Sequence, residues 1–258
     1  MDKDSYRIGK VFITITDTED GANRIEKAIE DGRKGYVCIS NMRTVTVANT
    51  DLDYRKVMES SLFNTPDGTP LVWCGKAWGL KNVQRTCGPH LFHAMLQDAT
   101  SGLKHFFLGD TDETLAALTE KCQKEYHTEV VGVYSPPFKP LEEYDLQGIA
   151  DRINNSGANI VWTSLRAPKQ DYLAALLLPY LHNGIVIVGV GAAFRIELGE
   201  YKQPEGTLQK MGLAGLLINR KDSSFWTEFK WYIKHTRYLI RYIVSIWYWR
   251  LKGMKYYE

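Results

Sequence analysis

The chain is poor in cysteine and has no long apolar run. Cys38, Cys74, Cys87 and Cys122 are scattered, with no Cys-x-x-Cys pair and no histidine at metal-ligand spacing. This argues against a zinc or disulfide framework and for small buried side chains in a reducing cytosol. The longest apolar run, Ile185 to Phe194, contains two glycines and is about half of the roughly 20 residues a bilayer-spanning helix needs. The opening Met1-Asp2-Lys3-Asp4 offers no apolar leader, so neither a signal segment nor a membrane span is expected. A Walker A loop and a Ser-His-Asp order are also missing. Gly189-Val-Gly191-Ala-Ala-Phe194 follows an apolar run but lacks the third glycine of a dinucleotide fingerprint. Its glycines either let a phosphate or sugar approach the backbone or simply close a turn. No Asp-x-Asp pair is expected at a strand end, so a divalent-metal diphosphate site is not signalled and a leaving diphosphate would rely on Arg, Lys and helix N-termini.

What is present is uneven. The whole chain carries a net charge of +2. Residues 225–258 hold seven Lys/Arg against Glu228 and Glu258, leaving the rest of the chain at −3. Four of the seven tryptophans fall in the same tail. Phe229, Ile233, Ile240, Val244, Trp247 and Leu251 recur there at helical spacing, and Lys230, Lys234, Arg237 and Arg241 form a neighbouring basic stripe. A basic, aromatic, amphipathic helix of this kind suits a membrane surface. The alternative is packing on its own domain or on a neighbouring subunit, so a homo-oligomer stays open. Nucleic acid is disfavoured, because the apolar stripe suits lipid and the rest of the chain is acidic.

Before that tail, apolar runs alternate with amphipathic ones. Strands are expected at 11–15, 35–40, 104–109, 129–134, 158–164 and 185–191. Helices are expected near 19–31, 51–61, 71–78, 90–99, 110–126, 144–156 and 171–181, with Asp110 and Glu113 as a capping arrangement. The pattern predicts an α/β, Rossmann-like, mostly parallel sheet with helices on both faces, plus a C-terminal basic and aromatic helical appendage. The expected boundary separates an α/β catalytic domain, 1–204, from a membrane-associating appendage, 205–258. Ligands in such sheets bind beyond the carboxyl ends of the strands. Asn41, Gly109-Asp110, Ser135-Pro136-Pro137, Arg166 to Gln170 and Gly191 fall at those ends.

Pro66-Asp67-Gly68 is the most pointed of these stretches. An Asp between Pro and Gly sits on a turn that aims its carboxylate, poorly placed for core packing and well placed to take a proton from a hydroxyl. The same tripeptide is also an ordinary turn. Arg85 is a candidate for anion contact or a solvated charge. Gln170 either faces a ribose or sugar or belongs to a plain helix start with Asp171 favouring the dipole.

Several collinear blocks resemble the WecG/TagA/CpsF glycosyltransferase family. They are Tyr36-Val-Cys-Ile-Ser-Asn41, Pro66-Asp-Gly-Thr-Pro-Leu-Val-Trp73, Gln84-Arg85-Thr-Cys-Gly88-Pro89, His105-Phe-Phe-Leu-Gly109, Gly132-Val-Tyr-Ser-Pro-Pro-Phe138, Ala167-Pro-Lys-Gln-Asp171 and Gly189-Val-Gly-Ala-Ala-Phe194. The likeness covers about residues 8 to 213. It implies inverting, metal-independent transfer of a sugar from a nucleoside diphosphate sugar, a UDP-sugar foremost, to a polyprenyl-diphosphate-linked sugar during cell-surface polysaccharide synthesis. By the same resemblance Asp67 is the general base, with Asn41 and Arg85 holding substrate and developing charge. Gly68, Gly88, Gly109, Asp110, Pro136, Lys169, Gln170, Gly191 and Phe194 would line the substrate sites, and Arg237 and Arg241 would reach phosphate. No cofactor or metal is implied. The place of work is the cytoplasm, peripherally on the inner face of the plasma membrane through 225–258. The chain departs from the family pattern at Ile39, Arg43, Arg166, Asp171, Ala214-Gly215 and Arg195, the last standing where the family has Asp. A non-catalytic membrane-associated partner that binds nucleotide sugar or lipid is the competing expectation.

Overall fold

The structure, a computed structural model, describes residues 4–98 and 102–201, and toward the C-terminus positions 233, 237, 240, 242–244, 246–248 and 250–257. Among the described residues eight strands form two sheets. β1 (Ser5–Ile8) and β2 (Val11–Thr14) make an antiparallel ribbon. The other six are β3 (Gly35–Ser40), β4 (Phe63–Pro66), β5 (Lys104–Gly109), β6 (Glu129–Tyr134), β7 (Ile160–Ser164) and β8 (Val186–Gly189). They form one sheet in the order β4-β3-β8-β7-β5-β6, and every ladder in it is parallel. The expected α/β architecture is therefore present.

Nine helices punctuate the described strands: α1 (Thr18–Glu30), α2 (Met42–Thr50), α3 (Leu52–Glu59), α4 (Thr69–Ala77), α5 (Gly88–Gln97), α6 (Asp112–Lys121), α7 (Leu146–Ser156), α8 (Lys169–Leu177) and α9 (Ala193–Glu197). The two-residue period of the strands sorts side chains into two cores. Val37, Ile39, Phe107, Trp162 and Val188 face α1, α5, α6 and α9. Tyr36, Cys38, Phe106, Val161 and Ile187 face α7 and α8. Both sheet faces are covered, which is why these strands read as continuous apolar runs.

A third cluster lies beside the β4 edge. It joins the ribbon to α2, α3 and α4 and takes in Tyr242 and Ile246. The Asn64 backbone N–H of β4 donates to Thr14 Oγ1 at 3.3 Å and its side-chain amide donates to the Phe12 carbonyl at 3.2 Å, so the ribbon shields that edge. The expected strand at 11–15 exists, but as half of this ribbon and not in the main sheet.

The tail is helical at the described positions between 233 and 251. Its inner face is Tyr242 and Ile246; the Tyr242 hydroxyl donates to the Arg7 carbonyl at 2.9 Å, and Arg250 Nη1 donates to the Ala77 carbonyl at 2.6 Å. Its outer face carries Ile240, Val244, Trp247 and Leu251, all exposed, Leu251 at 88%. The 204/205 boundary lies outside the described residues, as do Lys230, Lys234 and Arg241. Among the described residues no helix is long and apolar enough to cross a membrane.

Candidate active site

The connections locate a crevice. From β5 the chain passes through α6 outward to β6, while from β7 it passes through α8 the opposite way to β8. Neighbouring strands whose connections diverge open a crevice at their carboxyl ends. Backbone strain gathers along the same rim. Gly68, Gly109, Asp110, Arg166 and Gly191, at φ 128°, 104°, 63°, 62° and 60°, lie at or just past the ends of β4, β5, β7 and β8. Asp110 and Arg166 are not glycine, and such positions cluster where function holds them.

At the β4 end, Asp67 sits on the expected turn. Its N–H donates to the Ser40 carbonyl at 2.6 Å, which ties it to β3. Gly68 at φ 128° then starts α4, with Pro70 in the first turn. Arg85 Nη2 lies 3.2 Å from Asp67 Oδ1, and each side chain is 24% exposed. The loop bearing Arg85 is held by Thr86, whose N–H donates to the Pro66 carbonyl and whose carbonyl accepts from Thr65 Oγ1, both at 3.0 Å. Burial pushes the Asp67 carboxyl above the usual aspartate range, while the charge and hydrogen bond of Arg85, and the charge of His90, pull it back. Arg85 Nη1 is buried with no hydrogen-bond partner among the described residues. A buried unpaired guanidinium nitrogen beside a carboxylate is what an anion or a hydroxyl-bearing ligand would satisfy.

The other expected site residues divide. Asn41 stands beside Asp67 at the end of β3, but its Oδ1 accepts from the N–H groups of Arg43 and Thr44 in a capping box for α2. Gly191 and Gly109 rim the crevice, and Pro136 follows β6 at its far side. Lys169 Nζ donates to the Lys139 carbonyl at 2.7 Å and lies over the Tyr144 ring, so it fastens the loop after β6. Gln170 is only 2% exposed, and its Oε1 accepts from the Gly191 N–H at 3.1 Å. It supports the glycine loop from behind, where the sequence left a ribose or sugar contact and a plain helix start both open.

Three expectations are corrected outright. Phe194 is fully buried with ring centroids 5.4 Å from both Phe92 and Phe107, so it packs α9 onto the core and lines no open site. Gly88 is buried at the start of α5, and a Cβ there would stand 2.7 Å from the Val190 carbonyl oxygen. It serves close backbone approach and not ligand contact. Asp110 does not cap α6; Thr111 does, accepting from the Thr114 N–H at 3.3 Å, because Asp110 has turned to Arg195.

One Asp-x-Asp spacing does follow a strand, Asp110-Thr111-Asp112 after β5. Asp112 is exposed in the first turn of α6 while Asp110 faces the Arg195 guanidinium. Among the described residues no group of three or more His, Cys, Asp or Glu side chains converges. Arg195 itself was legible only as a departure from a family pattern. A charged residue directly after a core aromatic, on the segment that follows the β8 glycines, was the signal available. Arg237 is exposed on the tail helix.

The geometry thus sets the Asp67 carboxylate and an unpaired Arg85 nitrogen at one end of a row of strand termini, and a switch-point crevice toward the other. In a comparison with protein families, the model of the glycosyl transferase WecG/TagA/CpsF family matches residues 6–249, and the chain belongs to this family of glycosyltransferases.

Proposed function

We propose that this glycosyltransferase moves a sugar, with inversion, from a nucleoside diphosphate sugar, most naturally a UDP-sugar, to a polyprenyl-diphosphate-linked sugar. The observation that carries the reading is Asp67, aimed by its turn and paired with Arg85, whose other terminal nitrogen has no partner among the described residues. Asp67 takes the proton of the acceptor hydroxyl as that oxygen attacks the anomeric carbon. The bond from that carbon to the diphosphate oxygen breaks on the opposite face, and the nucleoside diphosphate leaves with the electron pair. Arg85 Nη1 is placed to meet developing charge beside the base. Arg237 and Arg241 of the tail are the further candidates for the diphosphates. The scheme needs no metal, since arginines supply the positive charge.

The spacing supports a donor lying across the strand ends. Four strand steps separate β4 from β5, about 19 Å at roughly 4.8 Å per step, a span suited to an extended nucleoside diphosphate sugar. The tail supports a lipid-linked acceptor. With its inner face docked at Arg7 and Ala77, its outer stripe of Ile240, Val244, Trp247 and Leu251 is available to the inner face of the plasma membrane.

The test is release of nucleoside diphosphate from a panel of UDP-, GDP- and dTDP-sugars, with a lipid-diphosphate-sugar acceptor and EDTA present. Release from one donor, dependent on acceptor and lost in Asp67→Asn, is the expected result. Turnover that survives Asp67→Asn, or that EDTA abolishes, would count against the base or the metal-free scheme respectively. Donor binding without release across a broad panel would favour a non-catalytic binding partner.

A further inference from the structure

Asp110 combines two costs that a surface loop has no reason to carry. It is a non-glycine residue at φ 63°, directly after Gly109 at φ 104°. Its carboxylate is also largely withdrawn from water, at 8% exposure. What holds it is Arg195: Nε reaches Oδ1 at 3.1 Å and Oδ2 at 3.0 Å, and Nη2 reaches Oδ1 at 2.7 Å. The Asp110 carbonyl accepts from Ser135 Oγ at 2.7 Å, which adds the end of β6.

Arg195 is a stiff arm. Its neighbour Phe194 is locked in the core. Two residues on, Glu197 receives the Tyr126 hydroxyl at 2.6 Å and lies 3.0 Å from His93 Nδ1 and 3.1 Å from Lys121 Nζ, which pins α9 to α5 and to the end of α6. β7 lies between β5 and β8 in the sheet. The Asp110–Arg195 bridge therefore crosses the end of β7, where Ser164 Oγ donates to the Gly191 carbonyl at 2.6 Å. A bidentate pair at this place ties the loop after β5, on one side of the switch-point crevice, to the segment after β8, across the end of β7 on its other side.

We infer that the Asp110–Arg195 bridge is the positioning element for the nucleoside end of the donor, fixing the distance between the loops after β5 and β8. The inference rests on the nucleotide-sugar reading above and adds the direction in which the donor lies. Asp110 and Arg195 neutralise one another, so this end of the row suits an uncharged nucleoside. The unpaired guanidinium nitrogen is at the Asp67 end, and the diphosphate and sugar point that way. Neither Asp110 nor Arg195 takes part in the chemistry.

The test measures binding of UDP, and separately of inorganic diphosphate, to wild type, Asp110→Asn, Asp110→Gly, Arg195→Gln, the Asp110→Asn/Arg195→Gln double variant and Asp67→Asn, by calorimetry on protein shown folded by circular dichroism. Asn and Gly both tolerate the left-handed backbone, so these changes remove the bridge without forcing the turn. The expected result is a loss of UDP affinity of at least about tenfold in each single bridge variant, with the double no worse than the weaker single. Diphosphate affinity and the UDP affinity of Asp67→Asn stay at the wild-type level. In turnover the donor KM rises while kcat changes less than about threefold. Unchanged UDP affinity in Asp110→Gly would show that only the turn matters and overturn the inference. Losses that add in the double variant, or that extend equally to diphosphate, would overturn it as well. Failure of the wild type to bind UDP, GDP or dTDP would instead overturn the nucleotide-sugar reading itself.

Discussion

Asp67 must be ionised to act as a base, and its surroundings pull its proton in opposite directions. Burial holds the proton on, while Arg85 and His90 favour its loss. The acid limb of the rate profile should therefore report a group above the ordinary aspartate value of about 3.9. Arg85→Gln removes the first-named opposing charge, so that limb moves to higher pH, and kcat/KM measured from pH 4 to 9 reads the shift. Asp67→Asn should lower kcat by about 10²- to 10⁴-fold while UDP affinity stays. At this scale the sequence was legible where geometry is local. Pro66 and Gly68 aim Asp67 whatever the rest of the chain does. It was opaque where geometry is distant: Asp110 and Arg195 are 85 residues apart, and nothing in either neighbourhood announces the other. Phe194 was misread because an aromatic beside a glycine loop looks the same in sequence whether it faces a ligand or the core.

Elements show a similar division. The helices α1, α5, α7 and α8 and the strands β3, β5, β7 and β8 declare themselves by period and burial. α2 does not, because Val45, Val47 and three threonines give Met42–Thr50 poor helix propensity. Asn41 and its capping box with Thr44, and the burial of Met42, Val45 and Ala48, override that weakness. β4 was hidden because Phe63-Asn-Thr-Pro66 reads as a turn, and an edge position tolerates its final proline. Two predictions belong here. Gly88→Ala brings a Cβ against the Val190 carbonyl, and a loss of about 1–3 kcal/mol is expected in denaturant unfolding. Asp171, on α8, is buried, with Oδ2 accepting from the Tyr54 hydroxyl at 2.5 Å and Oδ1 unpartnered among the described residues. Burial raises its pKa to about 7, against the pull of Tyr54 and Cys38. The folded state then keeps a proton that the unfolded chain has lost above about pH 4. Stability should fall from about pH 4 toward 7, on the order of 1.4 kcal/mol per pH unit, and level off beyond. Asp171→Asn should flatten that slope in unfolding curves taken at pH 5, 6.5 and 8.

For the whole molecule, the tail helix was legible in its periodicity but not in its direction. The stripe suits either a membrane surface or packing on its own domain, and the structure buries Tyr242 and Ile246 while Ile240, Val244, Trp247 and Leu251 point outward. The sequence could not say which face docks, because Tyr6, Ile8 and Val11, which receive it, lie more than 200 residues away. Cutting the chain before 225 would therefore strip cover from that cluster. A sharper test is Trp247→Glu with Leu251→Glu, which touches only exposed positions. Thermal stability should stay near wild type, as surface changes usually cost under about 0.5 kcal/mol, while sedimentation with anionic vesicles falls. Retained vesicle binding would place lipid contact elsewhere.

The Arg7 N–H donates to the Tyr256 carbonyl at 3.0 Å, so β1 is stitched to a residue 249 positions further along the chain. During synthesis at about 5–20 residues per second, that stitch has to wait roughly 12–50 seconds after Arg7 is made. The ribbon that shields the β4 edge is thus translated long before its last hydrogen bond can form. A newborn chain spends that interval with Tyr6, Ile8 and Val11 lacking the cover that Tyr242 and Ile246 add to their cluster.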